Sequence, residues 1–152
     1  MTLSRRHLMA LAAVGVATTL AISGARAQAP LPEMEVARSA SCSCCAVWID
    51  HVRNAGFMVR ETIREDLDVV KAQLGVPVDL QSCHSATIDG FVIEGHVPAA
   101  DIRRLLQERP AAAGLAVAGM PIGSPGMEVP GRSDSYDVIL FADTGRQVFA
   151  RH

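Results

Sequence analysis

The most constraining feature of this sequence is a cysteine cluster, "SCSCC" at positions 41–45, which holds three of the four cysteines. The preceding segment "EMEVARSA" alternates apolar and polar residues and predicts a short strand. From Cys44 onward the apolar residues recur at helical spacing. Ser41 or Ser43 is a candidate N-cap, and Gly56 is placed to end the helix. The cluster therefore occupies a turn from a strand into a helix.

The segments after this helix continue the alternation of strand and helix. "GFMVRETIRE" predicts a strand with Phe57, Val59 and Ile63 directed inward, and "DLDVVKAQLG" predicts a short helix closed by Gly75. In "VPVDLQSCHSATIDGFVIEGHVP", the pair Asp89-Gly90 between two β-rich runs predicts a hairpin.

The next helix is predicted in "PAADIRRLLQER", which begins at Pro98 and is ended by Pro110. The order strand, cysteine turn, helix, strand, helix, hairpin, helix is that of thioredoxin and glutaredoxin. The predicted fold class is therefore α/β, with a thioredoxin-like mixed sheet flanked by helices. In this arrangement the segment "QSCHS" faces the cysteine turn and brings Cys83 and His84 towards Cys42 and Cys45.

Residues 110–135 are rich in glycine and proline and predict a long loop, which also carries Met120 and Met127. A loop of this length in a compact domain is usually functional or disordered, and if it is ordered we expect it to cover part of the molecule. The final segment "YDVILFADTGRQVFARH" predicts an added C-terminal hairpin that turns at 143–145.

The first 27 residues have the pattern of an export signal: Arg5 and Arg6, an apolar run, and the small-residue site at 25–27. The apolar run is short for a membrane span, so we expect cleavage, no stable membrane anchor and a periplasmic protein. The paired arginines leave both the twin-arginine and the ordinary secretory routes open. The predicted mature chain, residues 28–152, has the length of a single domain.

Charge excludes one class of partner. Without the three arginines of the signal, 14 basic residues become 11 against 16 acidic ones, a net charge of about −5, which argues against nucleic acid. Four cysteines in an exported protein could also form structural disulfides. A Cys42–Cys45 bridge would contribute only about 2 kcal/mol by loop entropy and a Cys45–Cys83 bridge about 4. Structural disulfides alone therefore do not explain why three cysteines are clustered.

The chemistry of the cluster leaves two classes of function open. Cys42 and Cys45 have the CxxC spacing at a helix N-terminus, which favours thiolates and suits a thiol-disulfide oxidoreductase. Cys44 would be a liability in such an enzyme, because a third thiol invites mixed disulfides. Four thiolates converging with the imidazole of His84 form a soft site that selects Cu(I), zinc or an iron-sulfur centre.

Within the metal hypothesis the sequence favours Cu(I) over zinc. Structural zinc sites usually come as two separated chelating pairs, whereas Cys83 and His84 are adjacent and normally point apart. Thiolates can bridge Cu(I) ions, so a crowded cluster could hold more than one. Met120 and Met127 are candidate outer ligands because thioether is a soft donor. His51, His96 and Trp48 are weaker candidates that more often serve packing and hydrogen bonding.

Four segments together resemble a known family: "CSCCAVWIDHVRNAGF", "GVPVDLQSCHSA", "EGHVP" and "GMPIGSPGME". In this order they are similar to the CopG-type periplasmic copper-resistance proteins. The resemblance implies a thioredoxin-like fold and copper handling together with other periplasmic copper-handling proteins. The motif positions fall on Cys42, Cys44, Cys45, Cys83 and His84. Ser43 stands where the family usually has glycine, and residue 85 is serine where threonine is usual, but neither change removes a ligand.

The leading hypothesis is a periplasmic copper-binding protein for copper resistance that holds Cu(I) in a thiolate-rich site, with thiol redox as a possible second use of the same residues. The first alternative is a thiol-disulfide oxidoreductase in which Cys42 is the nucleophile and Cys45 the resolving thiol. The second is a structural zinc module, which would unfold when zinc is removed.

Overall fold

The computed structural model describes residues 30–152, so the predicted export signal lies outside the described part of the chain. This part forms a seven-stranded mixed sheet with three α-helices, which confirms the predicted α/β class. A single 3₁₀ turn, Val78–Leu80, precedes the third strand. In chain order the other elements are β1 (Met34–Arg38), α1 (Ser43–Asn54), β2 (Val59–Ile63), α2 (Leu67–Gln73), β3 (His84–Ile88), β4 (Phe91–Glu94), α3 (Ala99–Glu108), β5 (Gly114–Ala116), β6 (Asp137–Ala142) and β7 (Gly145–Arg151).

The strand order β2-β1-β3-β4-β5-β6-β7 places β1 and β3 side by side. β1 runs parallel to β2 and antiparallel to β3, and β3 is antiparallel to β4. Because β1 leads into α1 and the segment before β3 starts at the same edge, Arg38 at the end of β1 lies opposite His84. This register is what brings the segment around Cys83 to the cysteine turn.

The two faces of the sheet support separate apolar clusters. On β4, Phe91 and Ile93 belong to the larger cluster with Trp48 of α1 and Ile102 of α3, whereas Val92 belongs to the smaller one. Since neighbouring strand residues point to opposite faces, α1 and α3 cover one face of the sheet. Lys71 of α2 contacts Ser85 and Glu94, whose strand neighbours Ala86 and Ile93 belong to the larger cluster, so α2 lies on the other face.

Three local predictions are corrected. The N-cap of α1 is Cys42 rather than a serine, and no side chain caps the helix, so neither Ser41 nor Ser43 has that role. Ile63 is 47% exposed at the end of the edge strand β2, in which three of the five residues are exposed, and is not directed inward. The predicted loop 110–135 contains a strand, β5, between β4 and β6.

Two glycines occupy positions that a larger residue could not easily take. One lies in the predicted hairpin turn, and the other begins the strand that was not predicted. The hairpin between β3 and β4 turns at Asp89 and Gly90, which both have positive φ, as a two-residue type I′ turn requires. Gly114 opens β5 in close contact with β4, since a Cβ there would lie 1.9 Å from the Val92 carbonyl oxygen. The C-terminal hairpin β6–β7 turns at 143–144, as expected.

Within residues 30–152, no helix combines the length and the apolar character needed to cross a bilayer.

Candidate metal centre

The cysteine turn carries a disulfide in this structure. Cys42, at the N-cap of α1, is bonded to Cys45 in the first helical turn, with 5.4 Å between their Cα atoms. Cys44 and Cys83 are free thiols, both partly buried. The bonded pair sits at the positive end of the α1 dipole, where free backbone amides favour thiolates once the bond is reduced.

The four sulfur atoms lie within 4.8 Å of one another. Cys83 Sγ is 3.4 Å from Cys45 Sγ and 3.9 Å from Cys44 Sγ, and Cys44 Sγ is 3.5 Å from Cys42 Sγ. The sequence stretches that contain these residues are almost forty positions apart, and the pairing of β1 with β3 brings them together. The convergence expected from the strand order is therefore present.

His84 belongs to a second group of close ligand atoms rather than to the four-sulfur group. Its Nδ1 is 3.4 Å from Cys83 Sγ. The expectation that these two adjacent side chains point apart is therefore wrong. The ring is fully buried against Trp48, with 4.3 Å between centroids. Burial, followed by the neighbouring His96 and Lys71, holds the pKa of His84 well below 6.5. Among the described residues, no hydrogen-bond partner meets its buried Nε2 atom.

His96 is the site residue that sequence reasoning underrated. Its Nε2 lies 3.1 Å from Cys83 Sγ, and Cys83, His84 and His96 form a group with ligand atoms within 4.8 Å. The signal was available in the hairpin: Ser85 pairs with Glu94, and two further residues along this register place Cys83 opposite His96. The two-residue turn predicted at Asp89-Gly90 sets that register.

The environment of His96 determines which nitrogen faces the cysteines. Nδ1 is 2.8 Å from the carbonyl oxygen of Pro125, which can only accept, so Nδ1 carries the proton. Nε2 therefore presents its lone pair to Cys83, in the way that metal-bound histidines are commonly oriented by a backbone carbonyl. Burial lowers the pKa of His96, against smaller opposing effects of Pro125 and Glu128. At neutral pH the ring is thus the neutral form that binds metals.

Cys83 is a protonated thiol in the metal-free protein. Burial, and secondly the neighbouring Cys44, raise its pKa to about 12. A thiol in such surroundings is a poor nucleophile, because the thiolate is the reactive form. Metal binding would release its proton, as it does for cysteine ligands generally.

The glycine- and proline-rich segment after β5 lies against both halves of the cluster. A Cβ on Gly126 would come within 2.8 Å of the Cys44 carbonyl oxygen and 3.0 Å of the Trp48 amide nitrogen. At the other end of the segment, the Gly119 amide donates to Gln81 at 3.2 Å, and the Ser82 hydroxyl donates to the Gly119 carbonyl. The segment therefore covers the start of α1 and the turn before Cys83, as its length predicted.

The remaining candidate residues are of two kinds. Trp48 and His51 have packing or hydrogen-bonding roles, whereas the two methionines are exposed or partly buried. Trp48 is a fully buried core ring whose Nε1 donates to the Val97 carbonyl at 2.9 Å. His51 accepts a hydrogen bond from the Ala99 amide at 3.1 Å and so joins α1 to the start of α3. Met120 is 52% exposed next to Gly119, and Met127 is partly buried next to Gly126.

The arrangement offers two chemistries from one set of atoms. Cys83 is shared between the four-sulfur group and the group with two neutral imidazoles, so soft donors surround one small volume. This donor set fits a soft metal ion. While Cys42 and Cys45 are bonded, two of the thiolates are withheld, so reduction of the disulfide would control how many donors the site presents.

This chain is similar to one described protein family and to two solved structures of the same name. Residues 80–127 match a family described as "Protein of unknown function, DUF411". A solved structure named "Copper resistance protein copG- Form 2" is 47% identical, with a TM-score of 0.77, and the match covers 81% of this chain and 98% of that one. Its "Form 1" is 46% identical, with a TM-score of 0.76 and coverage of 80% and 98%. No curated protein sequence matches this chain.

Proposed function

Because the chain belongs to the CopG family of copper resistance proteins, we propose that it binds Cu(I) at the reduced cysteine cluster and serves copper resistance. Copper is the cargo of this site. The thiolates of Cys42, Cys44, Cys45 and Cys83 are the proposed ligands, and His84 and His96 complete the donor set around Cys83. Thiolate and imidazole are both ligands that copper accepts, and Cu(I) prefers the sulfur.

The observation that supports this proposal most directly is the convergence of four sulfur atoms within 4.8 Å. Cys44 is the informative member. A dithiol enzyme needs only two thiols, and a third one 3.5 Å from Cys42 Sγ would compete for the exchangeable disulfide. A thiolate cage uses Cys44 as a further ligand.

More than one copper ion is proposed for the same geometrical reason. Cys83 belongs to both ligand groups, and a thiolate can bridge two ions. A single tetrahedral zinc ion would use four donors and leave two of the six unused. The zinc module is therefore the weakest alternative.

The experiment compares matched variants of the reduced, exported protein. Cu(I) is titrated against a competing chromogenic chelator, and metal analysis with sulfur-edge spectroscopy gives the ion count and any bridging thiolate. We expect the double variant Cys42→Ser/Cys45→Ser to lose affinity, while Ser43→Ala, in the same turn, keeps it. Full copper affinity in the double variant would refute the proposal, and one ion without bridging thiolate would refute the multi-copper site.

The disulfide favours a second candidate function, a thiol-disulfide oxidoreductase using Cys42 and Cys45. The bond lies at a helix N-terminus, the position that lowers thiol pKa in redox enzymes. Disulfide exchange that persists in a copper chelator and survives Cys44→Ser would support this function. Loss of copper binding on Cys44→Ser, without exchange activity in the unmodified protein, would support the copper site alone.

Location and route are part of the same proposal. The export signal predicts a periplasmic protein that receives copper there and passes it to, or withholds it from, other copper-handling proteins. The exposed Met120 within the covering segment is proposed as a residue through which copper enters. Secretion of a fusion carrying residues 1–27, with cleavage after Ala27, would test the location.

A further inference from the structure

A buried polar network lies on the opposite face of the hairpin that carries Cys83. Glu94 on β4 is fully buried, and its carboxylate accepts three hydrogen bonds. Lys71 Nζ of α2 donates to Oε1 at 2.5 Å, the Ser82 backbone amide donates to the same oxygen at 2.6 Å, and Ser85 Oγ donates to Oε2 at 2.5 Å. Lys71 Nζ also donates to Ser85 Oγ at 3.0 Å.

The contribution of this network to the free energy of unfolding does not by itself explain why these polar residues are buried here. The desolvation of two buried charges roughly cancels their attraction, and apolar residues of similar volume commonly replace a buried ion pair without loss of stability. What an apolar residue at position 94 could not supply is an acceptor for the Ser82 amide. That amide belongs to the residue immediately before Cys83.

The neighbouring glycine confirms how closely Ser82 is seated on β4. Gly95 has a φ of +70°, and a Cβ there would lie 2.5 Å from Ser82 Cβ and 2.6 Å from the Val117 carbonyl oxygen. The Gly95 amide in turn donates to the His84 carbonyl at 3.0 Å. Glu94 and Gly95 thus hold the chain on both sides of Cys83.

We propose that Glu94, neutralised by Lys71 and oriented by Ser85, is a positioning residue that holds Cys83 against Cys45 and His96. It contacts neither sulfur nor copper, and it acts through the Ser82 amide. The relation to copper rests on the proposed function, whereas the placement of Cys83 can be measured without any metal.

The metal-free test uses the background Cys42→Ser/Cys44→Ser, in which only Cys45 and Cys83 remain, with sulfur atoms 3.4 Å apart. In a glutathione buffer, the two thiols and one oxidised glutathione give one intramolecular disulfide and two reduced glutathiones. The equilibrium yields the effective concentration of the pair. We expect Glu94→Leu, which leaves the Ser82 amide without an acceptor at position 94, to lower it by ~tenfold or more, because a loosely held Cys83 meets Cys45 less often.

Two further variants separate positioning from general damage. Asp79→Asn breaks an exposed ion pair with Arg146 just before the same segment and should leave the effective concentration unchanged. Lys71→Met/Glu94→Leu removes both charges and should fold, yet lower the effective concentration as Glu94→Leu does. It supplies the same measurement if Glu94→Leu, which leaves Lys71 without its carboxylate, does not fold. Unchanged effective concentration in the folded Glu94 variants would overturn the proposal.

Hydrogen exchange on the unmodified protein gives an independent measurement. The Ser82 amide should be among the slowly exchanging amides, since it is bonded to a buried carboxylate; exchange as fast as in exposed turns would overturn the proposal. Cu(I) titration of Glu94→Leu then separates two failures. If the unmodified protein binds no copper, the proposed function fails and the disulfide measurement still stands. If both bind equally and the effective concentration is unchanged, only the positioning role fails.

Discussion

The two halves of the cysteine cluster are built differently. The half on α1 holds Cys42, Cys44 and Cys45 on a helix start without a side-chain cap, and two of its thiols are joined in a reversible bond. The half on the β3–β4 hairpin holds Cys83 and two fully buried histidines in a hydrogen-bonded frame. In this structure the disulfide withholds two donors of the helix half, whereas Cys83 in the hairpin half is a free thiol. We infer that the hairpin half defines the site and the helix half adjusts it.

Cys83→Ser is the variant that most strongly tests whether the hairpin half contributes more to copper binding than the helix half. Cys83 is the one residue that the two ligand groups share. We expect Cu(I) affinity to fall by ~100-fold or more, about 2.7 kcal/mol. Thr87→Ala, on the strand that follows Cys83, is the control and should bind normally. A loss no larger than that of Cys42→Ser would show that the two halves contribute equally.

His96→Phe should have the next largest effect on copper. The ring loses the nitrogen that faces Cys83, and we expect affinity to fall by ~10- to 100-fold, in the range found for residues that orient or support metal ligands. His51→Asn is the comparison, because His51 Nε2 accepts a hydrogen bond from the Ala99 amide and lies outside both ligand groups. It should change the unfolding temperature and leave copper affinity unchanged, and the reverse pattern would contradict the assignment.

The buried histidines also predict a pH dependence of the metal-free protein. Burial holds the pKa of His84 well below 6.5, so below pH 6.5 the unfolded chain binds more protons than the folded one. The free energy of unfolding is therefore highest above pH 6.5 and falls as the pH drops below it. His84→Phe should reduce this slope by up to about 1.4 kcal/mol per pH unit, measured by denaturant unfolding. His51, whose pKa is also lowered by burial, should contribute in the same direction; an unchanged slope in His84→Phe would contradict this account.

The smallest effect concerns the segment that covers the helix half. Gly126→Ala adds a Cβ 2.8 Å from the Cys44 carbonyl oxygen at a φ of +88°, whereas Gly131→Ala meets nothing within 4 Å at a φ of +72°. Both variants share the strain of positive φ, about 1 kcal/mol. Only Gly126→Ala should also increase the rate at which iodoacetamide alkylates Cys44. Equal rates in the two variants would show that the segment does not shield the cluster.

The sequence allowed much of this structure to be predicted because its strongest signals are local. The cysteine turn, the Asp89-Gly90 hairpin and the C-terminal hairpin each depend on a few neighbouring residues. β5 was missed because a three-residue strand beginning with Gly114 resembles the surrounding loop. Strand formation there depends on β4 and β6, which supply its hydrogen bonds on both sides.

The parts of the site that escaped prediction depend on long-range contacts. His96 could have been found from the hairpin register, since the turn places it opposite Cys83. The network of Lys71, Ser85 and Glu94 could not, because it requires knowing that α2 lies on the face opposite α1. The N-cap differs from expectation because the disulfide partner Cys42 occupies that position and its side chain is committed to Cys45.

The packing of Trp48 against His84 gives the molecule a built-in optical probe. Trp48 is the single tryptophan of the chain, its ring lies 4.3 Å from the His84 ring, and both are fully buried. Its fluorescence therefore comes from one place, beside the candidate ligands. Reduction of the Cys42–Cys45 bond and the proposed binding of copper would each change the surroundings of that indole, so stopped-flow emission can time both events without a label.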